Sequence, residues 1–166
     1  MKEIIYNREK ATAYAQKWAY KRNPVYYDFE NIGGDCTNFV SQCIYAGGGV
    51  MNYTPVLGWY YNSSDDRSPS WTDVDYLFEF LIENISVGPR GEVIEIENAL
   101  VGDIIQFGDK DDDFYHSLII TKIVEQPSPE SIFVTTHSFD ANMRQLATYY
   151  YEKIRFIHIN SVWKYN

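Results

Sequence analysis

Apolar residues recur every three to four positions through the first half of this chain and gather into short strand-like runs through the second. That switch of period is the strongest constraint on what the chain can build. Ala11, Tyr14, Ala15, Trp18 and Ala19 mark an amphipathic helix over residues 8–20, with Asn7 as its cap and Asn23-Pro24 as its stop. Phe39, Val40, Cys43 and Ile44 mark a second helix, with Asp35 at its N-cap and Gly47, Gly48 and Gly49 at its close. A loop over about 47–69 leads to a third, expected to be capped by Thr72 and to bury Val74, Leu77, Phe78, Leu81 and Ile82 before Gly88-Pro89. Strand-like runs follow at 92–96, 103–107, 115–124, 131–138 and 154–159, with turns but no long helices between them. The expected class is α+β, with N-terminal helices packed on a C-terminal antiparallel sheet, and one domain spanning 1–166.

Charge and hydropathy narrow the partners. A net charge of -9, with acids massed at 109–113, opposes a phosphate backbone, so nucleic acid is not an expected partner. No stretch approaches the roughly 20 apolar residues of a membrane span. The first residues carry charge where a secretory signal has an apolar core, which leaves open a cytosolic protein or a domain of an exported parent. A monomer is expected.

The chain has two cysteines. Cys36 falls in the first turn of the second helix, where unpaired amides and the helix dipole favour thiolate; Asp35 opposes this, and the helix end is expected to win. Cys43 lies seven residues on, about 10 Å along a helix axis at about 1.5 Å per residue. That separation exceeds the roughly 7 Å of a disulfide and the reach of one zinc ion, so Cys43 is expected to be core. Of the three histidines, His116 shares a strand face with Leu118 and Ile120, His137 ends the next strand, and His158 is expected to be structural. Pairing of those two strands would bring His116 and His137 together at one sheet edge. A thiol, an imidazole and a second polar group are the requirements of cysteine acyl transfer.

The segments "YNREKATAYAQKWAYKRNPVYYDFENIGGDCTNFVSQCIYAGG", "GWYY", "SWTDV", "VGDIIQF", "YHSLIIT" and "THSFD", in this order, resemble the amidase-domain family that belongs with the NlpC/P60 and CHAP-type hydrolases. The resemblance runs from about Tyr6 to about Ile159. It implies a papain-like fold, a cysteine amidase or endopeptidase acting on bacterial cell-wall (peptidoglycan) peptides, and no metal or other cofactor. It also implies Cys36 as nucleophile, His116 as base and His137 as the residue that orients the base, with Asp140 or Asn142 as alternatives. Papain-like proteases often place an oxyanion-hole glutamine about six residues before the cysteine, and this chain has Glu30 there. The expected donors are therefore the Cys36 backbone amide and a second group for which Tyr26 and Tyr27 are candidates. Trp59, Tyr60 and Trp71 are candidates for lining a substrate cleft, with packing of Trp59 and Trp71 into the core as the competing role. Two rivals stay open: a protein deamidase or transpeptidase inside a cell, and a papain-like module that binds peptides without cleaving them.

Overall fold

The computed structural model describes all 166 residues. Strand β1 (Lys2–Ile4) precedes helix α1 (Arg8–Trp18), whose cap Asn7 accepts from the Lys10 N–H. Helix α2 (Cys36–Gly48) follows, then a hairpin of β2 (Tyr61–Ser63) and β3 (Asp66–Arg67), and helices α3 (Pro69–Thr72) and α4 (Val74–Glu83). The rest is sheet: β4 (Gly88–Ile94), β5 (Ile104–Gly108), β6 (Phe114–Ile123), β7 (Ile132–Thr136), β8 (Ala141–Gln145) and β9 (Lys153–Lys164). Every pairing is antiparallel, so the α+β expectation holds. The long β9 organises the sheet. One of its edges pairs with β4 and the other with β5 and β1, and β6, β7 and β8 follow outward from β5.

Alternation along the strands gives the sheet two apolar faces. Ile104, Ile119, Ile157 and Ile159 pack under α1, α2 and α4. On the opposite face Ile105, Phe107, Leu118, Ile120 and Phe156 are covered by chain segments carrying Ala99 and Leu146 rather than by a long helix. Polar groups also seat α2 on the sheet: Thr37 Oγ1 lies 3.0 Å from Ser117 Oγ on β6, and Gln106 Nε2 on β5 donates to that same hydroxyl at 3.1 Å. All three residues are buried, so the two elements are held in register by bonds that slippage would leave unpaired.

Two local expectations change, and one open choice is decided. The cap of α4 is Asp73, whose carboxylate accepts from Asp75 and Tyr76 N–H, and Thr72 instead ends α3. Phe80 takes the buried place expected for Ile82, which is exposed. Trp59 and Trp71, candidates for a substrate cleft, are both 0% exposed. Their rings meet at 4.7 Å, and their indole N–H groups donate to Ser41 and Asn38 of α2. A buried indole with its N–H satisfied is a core residue, and these two fix the long loop onto α2. Tyr60 packs beside Tyr53 at 5.4 Å.

Close approach of α1 and α2 depends on Gly47. A Cβ there would lie 2.5 Å from Tyr6 Cε2 and 2.8 Å from the Asn7 carbonyl oxygen. Alanine would gain about 1 kcal/mol in helix propensity, whereas the clash costs about 1–3 kcal/mol and involves backbone that cannot easily move. Gly47→Ala is therefore expected to destabilise the fold by about 1–2 kcal/mol in urea unfolding, the opposite sign to an unhindered helix glycine.

Candidate active site

Gly33 and Gly34, with φ of 87° and 100°, turn the chain into the N-terminus of α2. A side chain at residue 34 would crowd Ser138 Oγ, at 3.1 Å from its Cβ. Asp35 follows at the N-cap position, but its carboxylate makes no capping bond. Oδ1 accepts from Phe29 N–H at 2.9 Å and from Asn38 Nδ2 at 2.8 Å, while Oδ2 lies 2.5 Å from His137 Nδ1 and 3.6 Å from Arg22 Nε. The expected N-cap is thus a buried carboxylate, 1% exposed, tying the start of α2 to the segment holding Arg22 and Phe29 and to His137 just after β7. His137 is committed to that task. Its Nε2 meets the Trp18 carbonyl at 2.8 Å, and its ring stacks on Phe39 with centroids 4.0 Å apart.

Cys36, one residue on, places its sulfur against β6. The Thr37 hydroxyl lies 3.8 Å from it, and the backbone of Ser117 and Thr37 supplies hydrogen bonding that favours the thiolate. Burial nevertheless pushes the thiol pKa up, with Asp35 adding to the effect, and outweighs those donors. The expectation of a favoured thiolate is therefore reversed: desolvation of a nearly enclosed sulfur exceeds the hydrogen bonding that favours its charge. Cys43 is fully buried on the core side of α2, as expected, and both thiols are free.

His116 precedes Ser117 on β6. It pairs with Phe107 across β5 and β6, and the two rings lie 6.0 Å apart. Burial alone lowers its pKa from 6.5 to about 4, so the imidazole is neutral at pH 7. Cys36 and His116 line one cavity of about 430 Å³, shared with Glu30, Ser138, Phe139 and Arg144 and with Tyr115, Tyr149 and Tyr150. A larger hollow of about 590 Å³ near Tyr53 and Tyr165 contains no thiol, imidazole or carboxylate.

The turn from β7 to β8 supplies the rim. Ser138 and Phe139 have φ of 57° and 67°, a region that residues other than glycine seldom adopt. Phe139 is 92% exposed there. The Ser138 hydroxyl accepts from Asp35 N–H at 2.8 Å and donates to Glu30 Oε2 at 3.1 Å, which secures the turn against the start of α2.

The remaining candidates lie elsewhere. His137 faces Asp35 and Trp18 rather than His116. Asp140 pairs with Arg22 at 2.9 Å, and Asn142 accepts from Thr135 Oγ1. Tyr27, 45% exposed, packs edge-on against Phe29 away from the cavity, and Tyr26 stacks on Trp71. His158 bonds the buried Asp103 at 2.9 Å and Arg8 at 3.4 Å, the structural role expected of it. No group of three or more His, Cys, Asp and Glu residues is arranged to hold a metal ion, and no helix is long and apolar enough to cross a membrane. Sequence reasoning missed Tyr115, Phe139, Arg144 and Tyr150. The available signal was an apolar residue inside the turn-like "HSFD" and the aromatic run that ends at Tyr151.

An α+β chain with a helix-borne cysteine beside a strand-borne histidine calls for comparison with hydrolases, and the family match agrees. Residues 5–160 match the family described as "Putative amidase domain", and the chain belongs to it. Among curated proteins it is similar to "Uncharacterized protein YhbB" of Bacillus subtilis (strain 168), 34% identical over 164 residues. The alignment covers 93% of this chain and 50% of that relative, so the chain spans about half the length of the curated protein it matches. No solved structure matches.

Two stability measurements probe this geometry. His137→Leu removes a partner from the buried Asp35 carboxylate and is expected to cost about 3 kcal/mol in urea unfolding, with Asp35→Asn milder. His116 has a folded pKa below its unfolded value, so the unfolded chain binds more protons between pH 6.5 and about 4. Stability is therefore lost as pH falls through that window, by at most about 3 kcal/mol, and His116→Gln is expected to flatten that part of the profile.

Proposed function

We propose that this chain is a cysteine-dependent amide hydrolase with Cys36 as nucleophile and His116 as general base. One observation carries the reading: the Cys36 thiol, at the first turn of α2, and the His116 imidazole, on β6, line the same cavity. Membership of the amidase family supports amide substrates. In the free protein no hydrogen bond joins thiol and imidazole; such bonds often tighten only when substrate binds.

The chemistry begins from a neutral pair. A neutral His116 takes the thiol proton as sulfur attacks the amide carbonyl, giving a tetrahedral oxyanion and an imidazolium. The Cys36 backbone amide lies at the first turn of α2, whose N-terminus Asp35 leaves without a side-chain cap, and it donates to that oxyanion. The imidazolium then protonates the leaving amine, and a water deprotonated by the same ring cleaves the thioester. His137 acts through Asp35, as a positioning residue that sets the start of α2, rather than by orienting the base. His116 is oriented instead by packing on Phe107.

The resemblance to NlpC/P60 and CHAP-type hydrolases supports a papain-like fold and peptides of the bacterial cell wall as substrate. The test is mass spectrometry of products released from purified peptidoglycan. Wild-type protein is expected to release cleaved wall peptides, Cys36→Ser none, and His116→Gln at least about 100-fold less, the usual scale of a general base. Release that persists in Cys36→Ser at the wild-type rate would contradict the assignment, and modification of proteins with no wall-peptide release would move the substrate to the deamidase class.

A further inference from the structure

Two charged side chains line the cavity beside the thiol, Glu30 and Arg144, and no ion pair joins them. Each is fixed at one end and uncommitted at the other. Glu30 Oε2 accepts from Ser138 and lies 3.5 Å from Arg22 Nη2, while its Oε1 has no hydrogen-bond partner in the protein. Arg144 donates from Nε and Nη2 to the hydroxyl and carbonyl of Thr148, at 2.9 and 2.8 Å. Its guanidinium lies 3.8 Å over the Tyr149 ring, and Nη1 is left without a protein partner. The guanidinium is thus held in place by its neighbours, and holding it costs the chain rotamer freedom.

The mechanism uses neither residue. A carboxylate accepts hydrogen bonds and repels an oxyanion, so Glu30 cannot take the role of the glutamine expected at its position. Glu30 is partly neutralised by Arg22 through Oε2, so Oε1 and the Arg144 Nη1 are the groups of opposite charge left to meet a ligand in this cavity. Resting on the amidase reading, we propose that the cavity selects short amide substrates carrying both a free ammonium and a free carboxylate. Glu30 receives the ammonium and Arg144 the carboxylate, with the amide presented to Cys36. The exposed Phe139 at the rim packs against the apolar part of such a molecule. Peptides with unblocked ends, including those at the free ends of wall peptides, fit this arrangement better than peptides capped at either end.

Charge-coded alkylation of Cys36 tests the proposal without knowledge of the natural substrate. The reagents are 2-bromoethylammonium, iodoacetamide and iodoacetate, each rate normalised to that with a free thiol in the same buffer. In every case sulfur displaces halide from carbon and the thiol proton passes to His116 or to buffer. At ~0.15 M salt, Glu30→Gln is expected to lower the bromoethylammonium-to-iodoacetamide ratio about threefold without lowering the iodoacetate ratio. Arg144→Gln is expected to lower the iodoacetate-to-iodoacetamide ratio about threefold and to leave the other undiminished. Ratios unmoved in both variants, or all three reagents slowed alike, would overturn the proposal. These ratios report the cavity alone. Peptide release that survives Cys36→Ser would remove Cys36 as the nucleophile while leaving these ratios standing.

Discussion

The buried carboxylate of Asp35 sets the geometry on which the rest depends. A charge this deep is tolerated only when its oxygens are bonded, and here the partners come from three places: the Phe29 amide, Asn38 within α2, and His137 just after β7. Those bonds fix the direction in which α2 begins. Cys36 is the next residue, so its position is inherited from an interaction in which it takes no part. Because the carboxylate is spent on this network, the first-turn amides of α2 receive no side-chain cap from Asp35.

Burial then decides the protonation of the pair. Donors from Ser117 and Thr37 favour thiolate, yet desolvation exceeds them at Cys36, and desolvation alone depresses His116. Both effects disfavour charge, so the resting state is thiol and neutral imidazole rather than thiolate and imidazolium. In the proposed mechanism such a pair reacts by proton transfer during attack. A neutral base with a depressed pKa is available across the neutral range, and the cost falls on sulfur, which must lose its proton in a partly dry site.

Much of this was legible in the sequence. The period of the apolar residues marked α1, α2 and α4, and Gly47 to Gly49 marked the end of α2, because these signals are local. The role of His137 was not, since its partner Asp35 lies 102 positions away and no local pattern records the pairing. Thr72 and Asp73 are neighbouring residues that both serve as N-caps, and the one the structure uses is Asp73, the stronger of the two. Trp59 lies in a loop rich in polar residues and Trp71 in the short α3; both take the packing role that competed with the cleft role, their indoles bonded to Ser41 and Asn38 of α2. The β8 strand escaped notice because Met143, at φ 57°, and the turn at Ser138 and Phe139 break its pattern. The cavity rim is drawn from β6, the β7 to β8 turn and the segment after β8, three pieces that only the folded sheet assembles.

The central claim is that Cys36 forms a covalent bond to an acyl group with His116 as its base. The most direct measurement is the intact mass of the protein during reaction with p-nitrophenyl acetate, with peptide mapping of the adduct. The account predicts one acetyl group per chain on Cys36, absent in Cys36→Ser and formed far more slowly in His116→Gln. An acetyl group on any other residue, or on Cys36 at the same rate with and without the His116 imidazole, would contradict it.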